Sequence, residues 1–141
     1  MAQHVALPPG VLHAVPDGVD PRTATLAEPL AVAVHAVERS GMQAGDTVAV
    51  YGAGPIGILT ALLARHEGAA AVVITKPSPW RREVAAHLGF TVVAEGSAMA
   101  AALAPLTDGE GADTTFDSAA QPSVAAELAA TTRVRGRRRR G

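Results

Sequence analysis

Residues 50–57 read Val-Tyr-Gly-Ala-Gly-Pro-Ile-Gly, with glycines at 52, 54 and 57 directly behind an apolar run. The spacing is G-x-G-x-x-G, a string too common in glycine-rich chains to mean much alone, so its flanks decide what it is. Upstream, Asp46–Tyr51 has the pattern of a buried strand, introduced by the turn at residues 44–46. Downstream, Pro55 to about His66 reads as a helix, with Leu59, Leu62, Leu63 and His66 at i, i+3, i+4 and i+7. Pro55 suits its opening, because the first helical turn has no internal acceptor for the N–H that proline lacks. Ala71–Thr75 is a second apolar strand. Strand, glycine turn, helix and strand within about thirty residues make one βαβ unit, and in that frame each glycine acquires a task. Gly52 turns the chain off the strand, Gly54 lets backbone approach a pyrophosphate with no Cβ in the way, and Gly57 lets helix pack closely on strand. The amides of Ile56 and Gly57, behind Pro55, then face the anion at the positive end of a helix.

The same alternation runs along the rest of the chain. Glu28–Ser40 is an alanine- and valine-rich helix closed by Gly41, and Trp80–Leu88 a helix stopped by Gly89. Phe90–Ala94 reads as a strand, Ala98–Leu106 as a helix, Thr114–Asp117 as a short strand and Pro122–Ala130 as a last helix. Alternating strands and helices imply an α/β fold, a Rossmann-type doubly wound parallel sheet with helices on both faces.

Composition sets the limits. A chain of 141 residues, 48% hydrophobic and 18% charged, can bury a core as one domain. With no cysteine, disulfide frameworks and thiolate metal sites are excluded, leaving metal chemistry to His and carboxylates. No apolar run reaches the ~18 residues of a membrane span, and the start lacks the form of a signal peptide, so the expected location is cytoplasmic. The net charge of −1 hides an asymmetry: Arg133, Arg135 and Arg137–Arg140 crowd the last nine positions, leaving thirteen acids against six bases in residues 1–132. Such a run can meet a polyanion, but the plainer expectation is a solvated tail, and nucleic acid is not the expected partner.

Some twenty residues beyond the glycines, at the tip of the second strand, a dinucleotide site reads the adenosine ribose. An acid there would accept from the 2′-hydroxyl; this chain has Lys76, with Ser78, Arg81 and Arg82 close behind. A lysine cannot accept from a diol but can pair with a 2′-phosphate, so the residues favour NADP over NAD.

Four stretches in order, Leu12-His-Ala-Val-Pro-Asp-Gly-Val19, Leu26-Ala-Glu-Pro-Leu-Ala-Val-Ala-Val-His35, residues 45–57 and Gly109-Glu-Gly-Ala-Asp113, resemble the medium-chain zinc-dependent alcohol and polyol dehydrogenases, the sorbitol, threonine and butanediol dehydrogenases among them. The resemblance covers most of residues 4–130. It implies reversible oxidation of a small alcohol or polyol, with zinc on the alcohol oxygen, a nicotinamide cofactor taking the hydride, and homo-oligomers in the relatives. It also implies roles for single residues. Glu28, in Glu-Pro-Leu, stands beside the catalytic zinc, as ligand or through water, in a completed site; an acid there would equally favour the helix N-terminus. Val32, one helical turn on, matches the position that touches nicotinamide, and Arg81 the arginine that stacks over adenine.

Relatives also carry a catalytic domain with a zinc-ligand cysteine, a His-Glu pair and a four-cysteine zinc site, and residues matching these are absent from this sequence. The pair His66-Glu67 closes a Rossmann helix, away from the expected zinc seam. Relatives continue past the last helix with a Gly-Gly turn and an apolar strand, where this chain turns to arginine. The expected organisation is a connecting segment from a catalytic domain over 1–27, a dinucleotide-binding domain over 28–130 that is incomplete at its C-terminal end, and an Arg-rich disordered tail over 131–141. On this reading the chain supplies cofactor binding, holds no zinc of its own and is inactive alone. The alternatives are a non-enzymatic nucleotide-binding module whose tail contacts a polyanion, and a nucleoside-cofactor methyltransferase. Pro55 opening the helix and the Glu-Pro-Leu block argue against the latter.

Overall fold

A computed structural model describes residues 4–75, 78–94, 96–119 and 121–134. After a 3₁₀ turn at Pro9–Val11 come a helical turn α1 (Pro21–Ala24), capped by the Asp20 carboxylate accepting from the Thr23 N–H at 3.2 Å, and α2 (Ala27–Ser40). Then β1 (Thr47–Tyr51), α3 (Pro55–His66), β2 (Ala71–Thr75), α4 (Pro79–His87), β3 (Thr91–Val93), α5 (Met99–Leu103), β4 (Thr114–Asp117) and α6 (Val124–Thr131) follow in strict alternation. The four strands are all parallel, in the order β3-β2-β1-β4. The chain winds outward from β1 through β2 to β3, then crosses back to the far side of β1 for β4. This is the doubly wound Rossmann-type arrangement, and its switch point lies between β1 and β4.

Period-two alternation builds a core on each face. Val48, Val50, Val72, Ile74 and Phe116 pack under α2, α3 and α4, while Ala49, Tyr51 and Val73 pack against α5 and α6 through Met99, Leu103 and Val124. Every residue of β1 is buried, as a central parallel strand requires.

Several elements differ from the sequence expectation in instructive ways. The buried stripe of α3 is Gly57, Thr60, Ala61 and Ala64, not Leu59, Leu62, Leu63 and His66. The helix lies so close to the sheet that only small side chains fit beneath it; Leu62 and Leu63 spread to its flank, and His66 is exposed. The expected helix 98–106 is broken, a 3₁₀ turn at Gly96–Ala98 leading into α5 and another at Ala104–Leu106 ending it, where Pro105 has no N–H to continue the ladder. Asp46 is a turn residue rather than part of the strand, its carboxylate accepting from the Gln43 N–H at 3.0 Å.

The strand β4 also has company on its outer side. Thr132 forms a parallel bridge with Ala112, whose N–H donates to the Thr131 carbonyl at 2.8 Å and whose carbonyl accepts from the Arg133 N–H at 2.9 Å. Arg133 pairs with Asp113 at 2.9 Å. Residues 131–133, placed by the sequence in a disordered tail, are thus tied to the sheet edge, because backbone pairing there needs no apolar side chain. The expectation for 135–141 lies outside the described residues.

Tyr51 links β1 to α6. It is wholly buried, and its hydroxyl lies 2.7 Å from Thr131 Oγ1, which in turn donates to the Glu127 carbonyl at 2.8 Å. Burial pushes this phenol above its ordinary 10.0; the Thr131 hydrogen bond opposes the rise and the Glu127 charge adds to it. A raised native value means the folded chain keeps a proton that the unfolded chain loses. That stability is therefore intact below the ordinary pKa and is lost as pH climbs from there through the native one. Tyr51 is the sequence's sole tyrosine, so tyrosinate absorbance reports on it alone. The folded protein should show less of that absorbance than the urea-unfolded chain at a pH where the latter is half ionised, and its denaturation midpoint should fall with alkaline pH. Tyr51→Phe should flatten that fall and cost about 1 kcal/mol at neutral pH, as the loss of one hydrogen bond does.

Candidate functional site

The glycine turn emerges at the C-terminal end of β1, beside the switch point, where open α/β sheets present a crevice. Gly52 takes φ +106, a conformation that side chains resist, and its N–H donates to the Thr75 carbonyl of β2 at 3.0 Å. A β-carbon on it would meet the Ser118 carbonyl oxygen at 2.9 Å and the Ala119 nitrogen at 3.0 Å. The chain leaving β4 is held there by the Ser118 N–H donating to the Tyr51 carbonyl at 2.8 Å and by the Asp117 carboxylate accepting from the Ala119 N–H at 2.9 Å. A β-carbon on Gly57 would fall on the Gly52 carbonyl oxygen. Both glycines therefore have reasons internal to the fold.

Gly54 has none. Its backbone is extended, φ −80 and ψ 180, which any residue adopts. Among the described residues, a β-carbon there would find no protein atom within 4 Å except Nη1 of Arg81, at 3.8 Å. It is also the N-cap of α3, a position that glycine fills well but where Ser, Thr, Asp or Asn would add a side-chain acceptor. The first turn holds no acid either. With Pro55 lacking an N–H, the amides of Ile56 and Gly57 are left at the positive end of a twelve-residue helix; the ladder begins with the Ile58 N–H donating to the Gly54 carbonyl at 2.9 Å. The surface above Gly54 thus offers amide donors and a guanidinium with room for an oxyanion. Its residues fit a dinucleotide diphosphate, the empty space over Gly54 being what that group would fill.

The other residues named from sequence lie apart from this cradle. Glu28 and Val32 stand one turn apart at the start of α2, both exposed, Val32 at 47%. Lys76, on which the sequence expectation of NADP rests, lies outside the described residues. Among the described residues no three His, Cys, Asp or Glu side chains come together as a group that could hold a metal ion. Nor is any helix among them long and apolar enough to cross a membrane. Sequence reasoning missed the parts of Ser118 and Ala119, since proximity to Gly52 follows only from strand order. It also missed the link from Tyr51 to Thr131, for which a polar aromatic closing an apolar strand was the available signal.

Comparison with known proteins agrees with the fold. A family model described as zinc-binding dehydrogenase matches residues 55–138, more than half of the chain. The 2-dehydro-3-deoxy-L-galactonate 5-dehydrogenase of Pseudoalteromonas atlantica is 38% identical over 130 residues, covering 92% of this chain and 37% of that protein. Among solved structures, the 2R,3R-butanediol dehydrogenase of Bacillus subtilis superposes with a TM-score of 0.76 at 34% identity, over 86% of this chain and 35% of that one. A protein from Sinorhizobium meliloti, solved bound to NADP, superposes with a TM-score of 0.71 at 31% identity, over 84% and 36%. The chain belongs to the zinc-binding dehydrogenase family and spans little more than a third of the length of these relatives.

The three glycines should separate in a stability measurement. Gly57→Ala forces α3 away from the Gly52 carbonyl, a backbone group that cannot yield, and should cost at least the ~1–3 kcal/mol of an overpacked core in urea unfolding. Gly54→Ala, on an extended backbone facing open space, should cost no more than about 1 kcal/mol, the difference between glycine and alanine at an N-cap.

Proposed function

We propose that this chain is the cofactor-holding part of a zinc-dependent alcohol or polyol dehydrogenase, binding a nicotinamide dinucleotide across the C-terminal ends of β1 and β4. The observation that carries the proposal is Gly54, a glycine that neither backbone conformation nor packing requires and that leaves space beside the first amides of α3. A diphosphate laid there would take hydrogen bonds from Ile56 and Gly57 with no desolvated side chain in its path. The family supports the same reading, and one structural neighbour carries NADP. When bound, the cofactor supplies a nicotinamide carbon that accepts hydride from a secondary alcohol.

The chain's own residues would divide the remaining work. Val32, exposed on α2, would lie against the nicotinamide ring, and Glu28, one turn earlier, would border a zinc ion held by residues other than those described here. Without that metal site, nothing in the described chain lowers an alcohol's pKa or fixes its carbinol hydrogen, so binding without turnover is the expected behaviour of the bare 141 residues. A sugar-acid or polyol substrate is the class suggested by the galactonate and butanediol dehydrogenases among the relatives. The methyltransferase and polyanion-binding alternatives find no support in these relatives.

Gly54→Val places a branched side chain where the diphosphate would lie. Circular dichroism should show helix content unchanged, while calorimetric binding of NADP and NAD should vanish. A folded variant that binds like the parent would remove the site from this turn. For cofactor choice, Lys76→Asp exchanges a phosphate partner for a diol acceptor, and the ratio of NAD to NADP affinities should rise about tenfold to a hundredfold, the worth of one charge-assisted hydrogen bond. An unchanged ratio would leave Lys76 without a part in selection.

A further inference from the structure

Arg81 is the third residue of α4, which opens at Pro79 behind its N-cap Ser78. From that helix its half-buried side chain crosses to the β1–α3 turn, bringing Nη1 to 3.8 Å from the place a Gly54 β-carbon would take. Stacking on adenine, the role implied by family resemblance, asks something different. It needs the flat face of the guanidinium against a ring beyond the end of β2, where the adenosine half of a dinucleotide lies. Here the group stands instead over the glycine turn at the end of β1. A guanidinium's planar fork of N–H donors matches phosphate oxygens better than any other side chain does. Its surroundings suit a cation that serves an anion, since neither α3 nor α4 has an acid in its first turn.

The geometry points to Arg81 as the cation that pairs with the cofactor's diphosphate, completing from α4 a cradle whose other wall is the start of α3. The assignment rests on the dinucleotide reading and goes beyond it, because that reading is satisfied by backbone alone. It also gives α4 a direct part in affinity. The helix that follows the ribose-reading strand would clamp the phosphates bound at the neighbouring strand, so that both halves of the nucleotide close on one another.

Binding of ADP and AMP to the full chain separates the two roles. Trp80, the sole tryptophan, is exposed beside Arg81 and gives a fluorescence signal to set against calorimetry. Arg81→Ala should weaken ADP about tenfold to a hundredfold and AMP clearly less, the difference shrinking as salt is raised, and Arg81→Lys, which keeps the charge but not the fork, should recover part of the loss. Lysine keeps the charge but not the stacking plane, so recovery is a readout that adenine stacking cannot produce. Equal weakening of ADP and AMP, with Arg81→Lys no better than Arg81→Ala, would assign the residue to the base and overturn the proposal. So would two variants that bind both nucleotides like the parent. If the parent itself binds neither nucleotide nor NADP, the dinucleotide reading falls and this assignment with it. Unchanged circular dichroism in both variants excludes misfolding as the cause of any loss.

Discussion

The close approach of Gly57 to the Gly52 carbonyl, with no space for a β-carbon between them, is the constraint on which the rest of this structure turns. It brings α3 down onto β1 by the width of one missing methyl group, and the line of approach continues through Thr60, Ala61 and Ala64, all small and all buried. A helix held that close ends its first turn directly above the strand's last residue, so the positive helix end and the strand's exit share one small volume. The same closeness leaves no room for leucine beneath the helix. Leu62 and Leu63 move to its flank among the side chains that join it to the core under α2. The position of the helix's positive end and the apolar packing behind it are thus two results of one steric fact.

The turn is fixed from the opposite face as well. Tyr51 and Gly52 are consecutive, and strand alternation sends the tyrosine into the layer of α5 and α6 while the glycine's carbonyl meets α3. Through its hydroxyl Tyr51 holds Thr131 at the end of α6, and Thr131 accepts the Ala112 N–H just ahead of β4. The chain leaving β4 returns to Gly52 at Ser118. Each wall of the crevice is therefore attached to a core on its own side of the sheet. A site built this way is preorganised, because moving any wall would disturb buried packing rather than a loop.

Much of this was legible in the sequence because local signals and the global fold agree. The parallel α/β class follows from alternating apolar strands and helices, and β1, α3, β2 and β4 stand within a residue of their expected limits. The separate tasks of Gly52 and Gly57 follow from their place between strand and helix. The errors arose where tertiary packing overrides periodicity. A leucine repeat at helical spacing marks the core face only if the helix stands at ordinary distance from its sheet, and α3 does not. Alanine-rich residues 98–106 have high helix propensity, yet Pro105 interrupts them. The Thr132 bridge was invisible because four arginines further on dominate the composition of the segment, whereas a parallel bridge draws only on backbone groups.

The division between holding a cofactor and using it also has a physical basis in where the core lies. Both apolar clusters are assembled from residues between Val37 and Val124, with Leu128 at their margin. Tyr51, Ala53 and Ala61, which flank the glycine turn and seat α3, belong to these clusters, and none of residues 4–26 does. Those residues are nearly all exposed, with apolar side chains such as Val5, Val11, Leu12 and Val15 standing in solvent. Glu28 and Val32 belong to the helix that joins this uncovered segment to the core, and they are exposed while Ala33 and Val37 of the same helix are buried. An amphipathic helix with one face in the core and such residues on the other is a boundary element. On the proposed reading, α2 would be where the cofactor-holding side meets the rest of the site, its place fixed by packing through Ala33 and Val37. Substrate and metal would then be brought to it by residues the two clusters do not contain.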